Sequence, residues 1–191
     1  MKSKHAFIVH LPKRFNDTIE VAGIDLYIDP KFREFENRVC QGVIVSTPSV
    51  SSLRADAGDI LYFHHHVVMN TQLALGNDLY LVPYHRDHGY NSQAYAYQRG
   101  TEVTMIDEWV FLKAHEATGF ITNSSGIMLD AAIVPKELKG VVAYGSAMLD
   151  LYEVSAGDTV GFNKNSDYEM IVNGERVWRM RVSDIDYVER V

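Results

Sequence analysis

Two stretches of the chain repeat each other, and that repeat limits the possible folds more than any other feature. Cys40-Gln41-Gly42-Val43-Ile44-Val45 is followed by Ala57-Gly58-Asp59-Ile60-Leu61-Tyr62-Phe63, and Leu138-Lys139-Gly140-Val141-Val142-Ala143 is followed by Ala156-Gly157-Asp158-Thr159-Val160-Gly161-Phe162. Gly42 and Gly58 are 16 residues apart, and Gly140 and Gly157 are 17 apart. A Gly-Asp pair ahead of an apolar run marks a turn that launches a strand: glycine supplies unusual dihedrals and aspartate caps the turn locally. The repeat extends upstream. Gly23 of Ala22-Gly23-Ile24-Asp25-Leu26 lies 19 residues before Gly42, and Gly126 of Ser125-Gly126-Ile127-Met128-Leu129 lies 14 before Gly140. Each tip follows a polar stretch, Arg14–Glu20 or His115–Ser125, which itself follows an apolar run, Ala6–Leu11 or Trp109–Lys113. The unit is strand, polar loop with a Gly-Ile-x-Leu tip, strand, turn, Gly-Asp strand, hairpin and final strand, and it occurs twice.

The rest of the pattern is also β. Short runs rich in Val, Ile, Phe and Tyr recur at Ala6–Leu11, Val39–Val45, Asp59–Phe63, Asp78–Val82, Glu102–Ile106, Trp109–Lys113, Gly140–Ala143, Thr159–Phe162, Tyr168–Val172 and Arg176–Val182, with Gly, Asn, Ser, Asp or Pro between most of them. No segment sustains a 3.6-residue stripe, and only Pro30–Asn37 and Pro135–Leu138 suggest a helical turn. An all-β fold of small barrels or sandwiches is expected. With 47% hydrophobic and 23% charged residues, a packed core is within reach.

Charge excludes one class of partner. Residues 1–100 carry ten acidic and ten basic side chains, and residues 101–191 carry fifteen acidic and eight basic, so the net charge of −7 lies in the second half. No basic stripe is present to neutralise phosphates, so nucleic acid is not the expected partner. No apolar run approaches the roughly 18 residues of a membrane helix, and no secretory apolar region follows the basic start, so a cytoplasmic protein without a membrane partner is expected. Cys40 is the only cysteine, which rules out a disulfide framework within the chain and suggests a buried thiol.

The repeated unit resembles the GroES co-chaperonin family, in which a strand leads into a mobile loop with a Gly-Ile-Val-Leu-like tip, followed by a Gly-containing strand and a Gly-Asp strand. Residues 109–191 match best: Val110–Lys113 resembles the opening strand, His115–Ala132 the mobile loop, Gly126–Leu129 its tip, Gly140–Gly145 the next strand and Ser155–Phe162 the Gly-Asp strand. Val182–Glu189 is similar to the family's acidic-apolar ending. Residues 1–108 align in the same order but more loosely, with a longer Tyr- and His-rich segment at 67–100 read as an elongated hairpin insertion. The boundary strand Trp109–Lys113 is read as serving both units. Only Ser46–Asp56 and Tyr144–Val154 stand where the family carries a roof hairpin, which resembles the co-chaperonins of tailed bacteriophages and would place the chain in the host cytoplasm.

The resemblance implies two tandem GroES-like barrels and a homo-oligomeric ring, seven-fold by family expectation. It implies a GroEL-type chaperonin and an unfolded client protein as partners, no catalytic residue and no cofactor. Partner contact falls on Gly23, Ile24 and Leu26 and on Gly126, Ile127, Met128 and Leu129. In an extended segment alternate side chains face one way, so Ile24 and Leu26 share a side, as do Ile127 and Leu129. The competing reading is a viral structural or tail-associated β protein, which has no need for such tips.

Other residues offer competing readings. His64-His65-His66, with His85 and His88, is the best hint of a metal site, but alternation along a strand would set His65 opposite its neighbours, so no metal is expected. His85, Asp87 and His88 could serve acid-base chemistry, yet no nucleophile sits in a recognisable setting. Tyr80, Tyr84, Tyr90, Tyr95 and Tyr97 suit the packed or interfacial face of a hairpin better than a carbohydrate or client surface.

Overall fold

The computed structural model describes residues 2–13, 17–27, 29, 37–84, 92–114, 121–122, 128–129 and 138–189. Nine strands come from the first half: β1 (Ala6–His10), β2 (Thr18–Val21), β3 (Ile24–Tyr27), β4 (Gln41–Ser46), β5 (Ile60–Phe63), β6 (Ala74–Gly76), β7 (Leu79–Pro83), β8 (Ala94–Arg99) and β9 (Glu102–Met105). Eight follow: β10 (Trp109–Ala114), β11 (Ile121–Thr122), β12 (Met128–Leu129), β13 (Lys139–Tyr144), β14 (Thr159–Phe162), β15 (Tyr168–Val172), β16 (Glu175–Arg181) and β17 (Ile185–Glu189). Among the described residues the complete helices are single turns, chiefly α1 (His66–Met69) and α2 (Ala147–Asp150). The fold is all-β.

Thirteen of the described strands form two antiparallel sheets with the same internal order, and β2–β3 and β11–β12 each pair as a separate two-stranded sheet. The first runs β6-β7-β1-β4-β5-β8-β9 and the second β15-β16-β10-β13-β14-β17, so each strand of the second has a counterpart and β9 is the one addition. Local irregularities repeat as well. The β1–β4 register slips between Ile8 and Val9, and the β10–β13 register slips between Phe111 and Leu112. The β5–β8 register slips at Tyr62/Phe63 and the β14–β17 register at Gly161/Phe162.

The repeated glycines have a steric reason. A Cβ on Gly42 would lie 2.6 Å from Leu11 Cδ2 and 3.2 Å from the His10 carbonyl, and one on Gly140 would lie 3.0 Å from Leu112 Cβ and the Lys113 carbonyl. At both places the preceding strand runs too close for a side chain.

Three apolar clusters fill the molecule. Phe7, Val9, Ile44, Leu61, Phe63, Val82 and Tyr97 pack under the first sheet with Val67 and Val68 of α1. Val110, Leu112, Val142, Val160, Phe162, Trp178 and Met180 form the counterpart in the second. Between them lies a seam drawn from both halves: Cys40, Tyr62, Tyr95 and Met105 meet Trp109, Phe111, Met170, Val172 and Val177. Period-2 alternation explains the division. Along β10, Val110 and Leu112 turn into the second cluster while Trp109 and Phe111 turn into the seam, which is why that run reads as continuously apolar.

Several expectations change here. Each sheet is open at both ends of its hydrogen-bonded order. The segment 67–100 is no single long hairpin. It contains α1, the β6–β7 hairpin and β8, and β8 pairs with β5 and β9 while β7 pairs with β1 and β6. The β6–β7 hairpin matches β15–β16 of the second sheet, so it belongs to the repeat. Strand β10 pairs with β13 and β16 of the second sheet and with no strand of the first, and Trp109 and Phe111 reach the first half through side chains. Of the expected helical turns, 30–36 and 135–137 lie outside the described residues. No helix among the described residues is long and apolar enough to cross a membrane.

Candidate functional site

The first expected tip is a hairpin standing apart from the main sheet. Strands β2 and β3 pair as a two-stranded unit, with Val21 opposite Ile24, Glu20 opposite Asp25 and Thr18 opposite Tyr27. Ala22 and Gly23 make the connection at φ +52° and +80°, the left-handed pair that a two-residue hairpin turn requires. Thr18–Glu20, expected as irregular loop, is therefore strand; residues 14–16 lie outside the described residues. At the base, Lys13 Nζ donates to Thr18 Oγ1 at 2.8 Å.

This hairpin is apolar and uncovered. Ile24 is 64% exposed, Leu26 46% and Val21 49%, and Tyr27 is more exposed still at 73%. Alternation puts Ile24 and Leu26 on one side, joined by Val21 across the ladder, and Asp25 on the other. Val21, Ile24 and Leu26 thus form a contiguous group of exposed apolar side chains, the kind of surface that binding partners cover.

The second tip occupies the same point of the repeat, between β10 and β13. There β11 pairs with β12, setting Ile121 opposite Leu129 and Thr122 opposite Met128. Gly126 and Ile127 lie outside the described residues.

A polar cluster at the edge of the seam was not anticipated. Strand β5 ends at Phe63 and the chain turns through His65 into α1, so alternation does not apply beyond residue 63. The three imidazoles come together, with ring centroids 4.3–4.7 Å apart and one ligand atom from each within 4.8 Å of the others. The argument that separated His65 from its neighbours thus fails. Tyr168 of β15 stacks on His64 at 4.5 Å, and its Oη lies 2.5 Å from His65 Nδ1 and 3.6 Å from Cys40 Sγ. Arg179 lies over Tyr95, Trp109 and Tyr168 at 4.5–4.9 Å, a cation held among three aromatic faces.

Burial first, then the neighbouring His65 and His66, pulls His64 down to about 3, so it stays neutral at physiological pH. Burial likewise raises the Cys40 thiol. No sequence signal marked the convergence, because the turn after Phe63 carries no Gly, Pro, Asn or Asp.

The remaining candidates sort plainly. Tyr80, Tyr84, Tyr95 and Tyr97 are buried, so they pack and present no surface. Tyr90, His85, Asp87 and His88 lie outside the described residues. In comparisons with known proteins, no family model and no curated protein matches the chain.

Proposed function

We propose that this chain is a ring-forming co-chaperonin of the GroES type. Each subunit carries two tandem GroES-like units, 1–108 and 109–191, each built on an open sheet, and caps a GroEL-type chaperonin ring to assist ATP-dependent folding of a client protein. The observation that carries the reading is the β2–β3 hairpin, which displays Ile24 and Leu26 at the point of the repeat where the second unit inserts β11–β12.

The chemistry suits a grip that must be released in each cycle. One short apolar anchor binds weakly, and several on one ring add avidity without any single contact being tight. Strands β6, β9, β15 and β17 end their sheets, offering edges for neighbours in a ring. The test is a pull-down with a GroEL-type chaperonin with and without ATP or ADP, alongside native mass spectrometry. Nucleotide-dependent capture of a closed oligomer is expected. A monomer at micromolar concentration that chaperonin ignores in every nucleotide state overturns the reading.

A further inference from the structure

We propose that His64, His65 and His66 form a binding site for a divalent transition-metal ion of the zinc class. Three neutral-capable imidazoles in mutual contact are a donor set that zinc, cobalt and copper favour. Their ligand atoms lie within 4.8 Å of one another, and tetrahedral coordination at about 2.0–2.1 Å per bond brings such atoms to roughly 3.4 Å. Closing that gap requires the rings to rotate. His66 is exposed at the start of a four-residue helix and can swing.

The surroundings already hold one ligand in place. His65 Nδ1 meets Tyr168 Oη at 2.5 Å, which leaves Nε2 as the ligating atom, and Tyr168 in turn meets Cys40 Sγ at 3.6 Å. An imidazole whose second nitrogen is fixed by an outer partner is the usual arrangement at protein metal sites. His64 Nδ1 accepts the His66 backbone N–H at 3.1 Å. Ligation through that nitrogen gives up a bond whose donor is a helix-start N–H that water can satisfy.

Charge limits the affinity. Arg38 and Arg179 lie 5.6 and 4.9 Å from the Tyr168 ring, and the cluster found among the described residues contains no carboxylate. The ion therefore keeps an open coordination position for water or an anion, and micromolar binding is expected. None of the three histidines belongs to the apolar seam beside them, so the metal-free chain is expected to keep its fold.

The experiment uses tag-free full-length protein stripped with a chelator, titrated with Co2+ by visible absorption and with Zn2+ by calorimetry. One ion per chain, four-coordinate Co2+ bands and a Tm rise on saturation with Zn2+ are expected. His66→Ala and His65→Gln should each weaken binding by about tenfold or more. His66→Ala changes an exposed side chain, so it should keep the metal-free Tm and separates lost ligation from lost folding. Absence of saturable uptake at micromolar Zn2+, or uptake unchanged in the double variant, overturns the proposal; the latter would assign the ion to other histidines.

Discussion

Gly157 repeats Gly58 in both conformation and bonding. Their φ angles are +97° and +96°, and their N–H groups donate at 2.8 Å to the carbonyls of Val142 and Ile44. The aspartates that follow behave alike too: Asp59 Oδ2 accepts the Asp56 N–H and Asp158 Oδ2 accepts the Ser155 N–H, each at 2.8 Å. Two turns that agree to this level and launch counterpart strands are the structural content of the sequence repeat.

Replacing either glycine by alanine forces a side chain into left-handed backbone. A Cβ at either position would meet nothing within 4 Å, so the cost is conformational alone. Gly58→Ala and Gly157→Ala should each lose about 1–2 kcal/mol in urea unfolding, and the double variant about the sum. Equal stability of either variant with the wild type would mean that the turn is not as described.

Asp59 gives the first turn a pH dependence. Arg99 Nε and Nη2 donate to its carboxylate at 2.9 and 2.7 Å, and this pairing holds Asp59 below the usual carboxylate range. A depressed folded-state value means that the stabilisation is present above the unfolded pKa, near 4, and is lost as pH falls through the folded value. Arg99→Gln should therefore lower Tm at pH 7, and its deficit should shrink towards zero as pH drops below about 4. A deficit independent of pH would assign the role of Arg99 to packing.

The seam should make the two halves unfold together. Tyr168→Phe removes the contacts of Oη with His65 and Cys40 and should cost about 1–2 kcal/mol. Phe111→Ala opens a cavity between the sheets and should cost about 3–5 kcal/mol. Wild type should show one transition in calorimetry and Phe111→Ala two. Two transitions already in wild type would mean that the seam does not couple the halves.

The strands were legible wherever alternation and Gly-Asp punctuation coincide. Thr159–Phe162 and Tyr168–Val172 match the expected ranges residue for residue. Strand β8 was missed because Ala94-Tyr95-Ala96-Tyr97 is buried on both faces and shows no polar alternation. Helix α1 was missed because Val67 and Val68 are poor helix formers; their burial under the first sheet overrides propensity. Ile24 and Leu26 stand exposed on β3 at the place where glycine spacing put a loop tip. The hairpin around them was hidden because its turn is Ala-Gly and not Asn-Gly. The histidine cluster depends on a chain reversal that the local sequence does not encode.

The decisive prediction concerns Ile24 and Leu26. They share one side of β3, stand 64% and 46% exposed, and belong to a hairpin that pairs with no strand of the main sheet. Ile24→Ser with Leu26→Ser removes two apolar anchors, and full burial of such a side chain is worth roughly 1.5–3 kcal/mol. Across a ring the loss multiplies through avidity, so chaperonin binding and client refolding should both collapse. Folding should survive, because neither residue belongs to the three apolar clusters. Circular dichroism and native mass spectrometry should match wild type, with Tm within a degree or two. If the variant unfolds, the hairpin contributes to the core and the tip assignment fails. If it binds chaperonin as wild type does, the contact lies on the second tip, and the same pair of changes at Ile127 and Leu129 becomes the deciding measurement.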